Sequence, residues 1–240
     1  MRTRRVKVNF SSSSYSLSIS DLMSALCCIF LLFLAITVYK LNQQKREYQQ
    51  KNELATQYKN KQEDLYKALE KEFSIDLNRW GADISNVDGA IRIRFTDDSF
   101  MFAGGSEILT PEFETVLSDF FGRLIKVIGQ DYFCNDILEI RIEGHTKKIT
   151  GTESDYNQGM WLSMERTRNV LKHCLNNSII SYDMIGGENS INWIRQRIAG
   201  IGYSFSIPGE NNKDRRVEFK IRTKAESVID ELQKLDGIAK

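Results

Sequence analysis

The chain has 240 residues, and 33 Lys and Arg against 32 Asp and Glu give it a formal net charge of +1. A charge this close to neutral excludes a strongly basic, electrostatic nucleic-acid binder. The sequence has no nucleophile elbow, no phosphate-binding loop and no metal-ligand cluster, and it contains only two histidines. We therefore expect a protein that is not an enzyme and that has no bound cofactor or metal.

The first forty residues combine a basic tail with an apolar run. The tail, 1–15, carries four basic residues and no acid, which favours a cytoplasmic N-terminus, although basic residues also follow the run. Residues 22–38 are apolar apart from Ser24 and Thr37. A helix of that length rises about 26 Å, close to the hydrocarbon thickness of a bilayer. We predict a transmembrane helix over 16–40. A cleaved signal peptide is the alternative, but no small-residue cleavage site follows the run.

One acid, Asp21, lies where the apolar run begins. A carboxylate near lipid costs about 2–3 kcal/mol on insertion scales, so such an acid usually has a partner or a function. One interpretation is that Asp21 binds and releases an ion. The alternative is that it caps the helix or lies at the level of the lipid headgroups, and its position in the sequence allows both.

The next stretch, 41–73, is polar and contains no Gly or Pro. Its many strong helix formers predict a long linker helix. Apolar residues such as Leu65 and Leu69 fit heptad positions only in part, because Lys51 and Gln62 interrupt the pattern. Two arrangements are therefore open, a loose parallel coiled coil and a solvated spacer.

The remaining chain predicts one α+β domain over 74–226, followed by a polar tail, 227–240. Alternating apolar and polar residues indicate strands, and helical spacing indicates two amphipathic helices, the first beginning at Thr110 and Pro111. The order β-α-β-α-β-β suggests a sandwich with the helices on one face of a sheet. The predicted strands are 90–95, 137–142, 194–203 and 216–222, and the helices begin near 111 and 158.

Two cysteines of this domain, Cys134 and Cys174, lie before the second predicted strand and at the end of the helix that follows it. Because that helix returns antiparallel to the strand, the two positions are expected to be neighbours. We predict a disulfide between them, worth about 3–4 kcal/mol for a loop of this size, and it would indicate an oxidising compartment. Two buried thiols that do not bond are the alternative.

Several separated blocks of the domain agree in order and spacing with one family. They are Phe102 with Leu109 to Pro111, Ile142 to Thr146, Tyr156 with Asn157, Leu162 with Ser163 and Arg166, Gly200 with Gly202, and Arg215 to Glu218. Residues 90–223 therefore resemble an OmpA-like peptidoglycan-binding domain. The segment 18–23, which runs into the apolar stretch, is similar to that of the flagellar stator subunit MotB and its relatives. Within that group the chain is most similar to the ZorB subunits of Zorya anti-phage systems.

This resemblance implies a role for the whole chain. The span acid of stator subunits binds the translocated ion, so Asp21 would carry a proton, although a carboxylate also suits Na⁺. Such subunits act as a homodimer inside a ring, commonly of five copies, of a ZorA- or MotA-like membrane protein. The implied location is the bacterial inner membrane, with one pass, a cytoplasmic N-terminus and a periplasmic domain. A flagellar stator and a passive peptidoglycan tether without ion flow are the alternatives.

The resemblance also implies a binding site in the domain. In the family, the arginine at the position of Arg166 binds the diaminopimelate carboxylate of the peptidoglycan stem; an ordinary surface ion pair is the alternative. Thr146 and Asn157 match the family's motif. The family places an acid directly after Thr146, where this chain has Lys147, so Asp155 or Glu153 would have to hold the ammonium end of the ligand. His145 is expected to be structural.

Overall fold

The computed structural model describes residues 12–87, 89–103, 105–176, 184–209 and 214–228, with side chains from Ser20 onwards. The basic residues of the N-terminal tail and most of the predicted C-terminal tail lie outside this range. The chain forms two compact units, 1–53 and 54–240. Each is described by itself below.

The first unit contains the N-terminal part of a single helix, α1, which extends from Ser12 to Phe73. The predicted span and the predicted polar helix are thus one uninterrupted element. Within the described residues, α1 is the one helix long and apolar enough to cross a membrane, and its apolar side chains from Leu22 to Val38 are exposed. The hydroxyl of Thr37 donates to the carbonyl of Phe33 at 2.8 Å, which satisfies the polar group inside the apolar stretch.

The second unit is a mixed sheet with helices, in agreement with the predicted α+β class. Its five-stranded sheet has the order β1-β2-β7-β3-β6. The β3–β6 pair is parallel and the other neighbours are antiparallel. The elements after α1 are α2 (Asp76–Arg79), β1 (Ala82–Val87), β2 (Ala90–Phe95), α3 (Asp98–Met101), α4 (Pro111–Ile128), β3 (Ile137–His145), α5 (Glu153–Leu175), β4 (Met184–Ile185), β5 (Glu188–Asn189), α6 (Ser190–Arg195), β6 (Ile198–Gly202) and β7 (Arg216–Thr223).

The sheet begins one strand earlier than we predicted. Strand β1 is an edge strand that pairs with β2 alone, and its residues are half-buried or exposed along its whole length. Its sequence therefore lacks the apolar alternation by which the other strands were recognised. The predicted start of α4 is confirmed, because the hydroxyl of Thr110 accepts from the N–H of Phe113 and Pro111 is the first helical residue.

An aromatic cluster forms the centre of the core. Phe120 of α4 lies 4.9 Å from Phe219 of β7 and 5.2 Å from Phe95 of β2, measured between ring centroids. The last residue of α1, Phe73, lies 5.1 Å from the same Phe120 ring. All four rings are fully buried. The end of α1 is therefore part of the domain core.

The C-terminal turns of α1 pack into the domain, unlike either arrangement predicted for the linker helix, a loose coiled coil or a solvated spacer. Leu65, Leu69 and Phe73 are at most 1% exposed, and their spacing of four residues places them on one face of the helix. On its polar side, the ammonium group of Lys61 lies 2.6 Å from Asp136. Leu65 and Leu69 are thus occupied by the domain and do not form a coiled-coil seam, and the compact unit begins at Leu54, well before the predicted boundary at residue 74.

The predicted disulfide is also corrected. Cys134 and Cys174 are both free thiols, and both are buried in the core cluster. Each acts as a small apolar group, and burial raises the pKa of the Cys174 thiol. These two cysteines therefore do not indicate an oxidising compartment.

The packing of α1 predicts a large loss of stability for Leu69→Ala. Removing a fully buried leucine side chain costs about 2–5 kcal/mol of unfolding free energy, measurable by urea denaturation of the detergent-solubilised protein. The control is Leu54→Ala on the same helix, because Leu54 is 44% exposed and a surface change costs about 0.5 kcal/mol or less. Equal effects of the two variants would contradict the packing of α1 into the core.

Candidate functional site

A cavity of about 190 Å³ lies between the loop after β3, the first half of α5 and the residues that follow β2 and precede β7. Two apolar side chains, Ile149 and Leu162, contribute to its wall. Charged and hydroxyl side chains make up most of the rest, namely Asp98, Thr146, Lys147, Asp155, Arg166 and Arg215. Four of these six are residues that the sequence singled out, so the fold does bring them together.

Arg166 forms the buried wall of this cavity. It is 4% exposed, its Nη1 lies 2.6 Å from Oδ1 of Asp98, and its Nε donates to the carbonyl of Ser106 at 3.0 Å. Its guanidinium group also lies 4.3 Å from the ring centroid of Phe102. Burial lowers the pKa of Arg166 and the neighbouring Arg215 lowers it further, while Asp98 acts in the opposite direction. Arg166 is therefore a fixed cation in a cavity wall and not a mobile surface residue.

Asp155 braces the loop that forms the rim of the cavity. Its Oδ2 accepts hydrogen bonds from the backbone N–H groups of Ile149, Thr150 and Gly151 at 2.9–3.0 Å. These bonds, led by the one from Gly151, hold the pKa of Asp155 below its ordinary value. Gly151 adopts a positive φ of 77°, a conformation that glycine reaches without a steric penalty. One oxygen of Asp155 is thus committed to the loop, while the residue also lines the cavity.

The hydroxyl of Thr146 is an unsatisfied polar group beside this cavity. Thr146 is 6% exposed, and its Oγ1 has no hydrogen-bond partner among the described residues. A buried unpaired hydroxyl costs about 1–3 kcal/mol. Helix α5 approaches it closely at Gly159, where a Cβ atom would lie 2.8 Å from Thr146 Oγ1. The fold therefore leaves this hydroxyl buried beside the cavity, without a partner among the described residues.

Other predicted residues lie elsewhere. Asn157 and Glu153 are exposed on the first turns of α5 and do not line the cavity. Of the two predicted acids, Asp155 is the one that lines it. Asp21 is exposed on α1 in the first unit. No role was predicted for Asp98 or Arg215, although Arg215 belongs to one of the blocks that resemble the family. Asp98 lies 68 residues before Arg166 in the chain, and only the fold brings Asp98 into contact with Arg166 and Arg215.

A second group of titratable residues lies on the neighbouring strands β3 and β7. Glu143 and Glu218 are paired in register, and their carboxylates and the ring of His145 lie within 4.8 Å of one another. Arg216 forms an ion pair with Glu218, and Arg141 lies 3.6 Å from Glu143. Burial raises the pKa of Glu143, but the nearby His145 and cations such as Arg141 outweigh it and lower the pKa below its ordinary value. Cations already balance both carboxylates, so this group is a buried ion-pair network, and His145 is one of its structural members.

Comparison with known proteins places these features in a family context. No protein-family model matches the chain. The chain is 35% identical over 223 residues to the Zorya protein ZorB of Escherichia coli (strain ATCC 8739), a match covering 88% of this chain and 89% of that protein.

Two solved structures are similar to the domain. A MotB-like protein from Desulfovibrio vulgaris has a TM-score of 0.52 at 19% identity, covering 71% of this chain and 96% of its own. The periplasmic domain of Helicobacter pylori MotB, residues 78–256 of that protein, has a TM-score of 0.44 at 15% identity, covering 65% and 91%. The first of these supports the domain fold seen here.

The bracing role of Asp155 predicts that Asp155→Asn loosens the rim loop. A neutral amide oxygen accepts weaker hydrogen bonds than a carboxylate, so amide hydrogen exchange at 149–151 should accelerate, as measured by mass spectrometry. Because the folded pKa of Asp155 is lowered, the protection should be complete above the unfolded pKa of about 3.9 and disappear as the pH falls through the lower folded value. The control is Glu153→Gln, and unchanged protection in Asp155→Asn would contradict the role.

Proposed function

Because this chain belongs to the ZorB family of Zorya proteins, we propose that it is the wall-anchored, ion-conducting subunit of an inner-membrane motor that drives anti-phage defence. The domain of the second unit would hold peptidoglycan, and α1 would cross the membrane once, with the N-terminus in the cytoplasm and the domain in the periplasm. The ion would be a proton. The partners would be a second copy of this chain and a surrounding ring, commonly of five copies, of a ZorA- or MotA-like membrane protein.

The single observation that best supports this proposal is the cavity at Arg166. A peptidoglycan stem peptide presents a side-chain carboxylate on diaminopimelate, and a fixed guanidinium suits a carboxylate. The half-buried Leu162 and the exposed Ile149 line the same cavity and suit the methylene groups that precede that carboxylate. This combination fits an aliphatic chain that ends in an acid.

The first unit supports the ion-conducting part of the proposal. Asp21 lies at the start of the apolar part of α1, and its neighbours there are apolar and exposed. An apolar surface without cover needs lipid or partner helices. Burial favours the neutral form of a carboxyl and contact with water favours the ionised form. An acid that alternates between partner helices and water would therefore take up and release a proton. A passive tether would need no such acid.

The proposal predicts that Asp21→Asn abolishes phage protection while the complex still assembles. The amide keeps the size of the side chain but cannot carry a proton, so plaque counts in cells that express the variant system should approach those without the system. Co-purification of the ring partner and membrane fractionation should remain at wild-type levels.

The matched control is Glu47→Gln, which removes an acid from the same helix beyond the apolar stretch and should keep full protection. Full protection by the Asp21→Asn protein would identify the chain as a passive tether.

The cavity predicts that Arg166→Ala weakens the binding of purified sacculi. Hydrogen bonds to charged groups contribute about 1.5–3 kcal/mol, so co-sedimentation of the detergent-solubilised protein should fall by roughly tenfold or more. The control is Arg168→Ala on the same helix, since the side chain of Arg168 is 74% exposed. Thermal unfolding of each variant checks that it is folded, and Arg166→Lys serves as a second variant. Unchanged sedimentation of folded Arg166 variants would place the wall-binding site elsewhere.

A further inference from the structure

The charges of the cavity are not balanced. Three cations line it, Lys147, Arg166 and Arg215, against two acids, Asp98 and Asp155. A ligand whose binding end carries one ammonium and one carboxylate would leave this excess uncompensated. A ligand with a second carboxylate would neutralise it, because opposite charges at short distance attract strongly where water is partly excluded.

Both acids of the cavity are already engaged inside the protein. Asp98 contacts Arg166 through Oδ1 at 2.6 Å and Arg215 through Oδ2 at 3.5 Å. Asp155 uses Oδ2 to hold three backbone N–H groups of the rim loop. An ammonium group of a ligand would therefore compete with both ion pairs at Asp98, and at Asp155 it would share a carboxylate that already holds the rim loop.

Lys147 is in the opposite situation. It is exposed, it lines the cavity, and the part of the chain that the structure describes provides it with no hydrogen bond or ion pair. The side chain of Arg215 is 51% exposed and is held by Asp98 through one of its groups. Two cations with donors to spare thus lie at the open side of a cavity whose buried wall is Arg166.

We propose that Lys147, together with Arg215, binds a second carboxylate of the ligand, so that this chain recognises a peptide end with two free carboxylates and does not require its ammonium group. The inference rests on the proposed function, because it names the part of the peptidoglycan stem that the cavity selects. Arg166 holds the diaminopimelate side-chain carboxylate. Lys147 holds the carboxylate of a neighbouring residue of the same stem, either the glutamate α-carboxylate or the terminal alanine carboxylate.

The exposure of the three cations agrees with this arrangement. Lys147 is exposed and half of the Arg215 side chain is exposed, whereas Arg166 is buried. The second carboxylate would therefore lie at the rim, while the first enters toward Arg166.

The experiment titrates the full-length, detergent-solubilised protein with synthetic tetrapeptide stems by calorimetry. The reference peptide is L-Ala–D-Glu–diaminopimelate–D-Ala with all carboxylates free. One derivative has the diaminopimelate side-chain amine acetylated. Three others each have one carboxyl amidated, at the diaminopimelate side chain, at glutamate or at the terminal alanine.

The expected result is that acetylation changes the affinity less than twofold. Amidation of the diaminopimelate side-chain carboxyl, and of one of the other two carboxyls, should each weaken binding by about tenfold. In Lys147→Gln the reference peptide should bind about tenfold more weakly. Amidation of the carboxyl outside the diaminopimelate side chain, to which the wild-type protein is sensitive, should then have no further effect. The control is Lys148→Gln, which removes the adjacent lysine that does not line the cavity and should behave as wild type.

Two results would overturn the inference and leave the proposed function intact. One is a loss of about tenfold on acetylation, and the other is full affinity for both peptides amidated outside the diaminopimelate side chain. If the wild-type protein bound neither the stems nor intact sacculi, the proposed function would be overturned, and this inference with it.

Discussion

The close approach of α5 to the sheet is the constraint on which the cavity depends. At Gly144 of β3, a Cβ atom would lie 2.4 Å from the hydroxyl of Thr167 and 2.5 Å from the carbonyl of Ser163. A Cβ atom does not come this close to a non-bonded oxygen, so a side chain there would displace the helix. The hydroxyl of Thr167 instead donates to the carbonyl of Ser163 at 2.8 Å. With the helix at this distance, Arg166, between these two residues, reaches the buried wall of the cavity.

The ion pair between Arg166 and Asp98 then defines the chemistry of that wall. The desolvation penalty of a buried ion pair can exceed the attraction between its charges. The main effect of this pair is therefore to position the two side chains, and not to stabilise the fold. It joins α5 to α3 across the cavity and fixes the direction of the guanidinium group. Arg215 contacts the second oxygen of the same carboxylate. One acid thus positions two cations.

Sequence patterns predicted the parts of the domain that obey local rules. The alternation of β2 and β7, the capped start of α4 and the two amphipathic helices depend on neighbours in the sequence, and the structure contains them. The edge strand β1 has no such pattern. The meeting of Asp98 with Arg166 and the separate burial of Cys134 and Cys174 depend on how distant segments pack. Chain order predicted that the cysteines would be neighbours, but it does not determine side-chain directions or sulfur distances.

The same limit explains why the packing of the C-terminal turns of α1 into the domain was not predicted. Between Leu22 and Val38 the apolar residues cover all sides of the helix, as a lipid environment requires. Near its C-terminus they form one stripe, Leu65, Leu69 and Phe73, at intervals of four residues, with Lys61 and Gln62 contacting Asp136 and Asn86. A stripe of this width on a polar helix indicates burial against a protein surface. A heptad test failed to identify it because the partner is a sheet and α4 rather than a second helix. The fraction of a helix surface that is apolar is therefore informative apart from the spacing of the apolar residues. Apolar residues on all sides indicate lipid, and a single stripe indicates packing against protein.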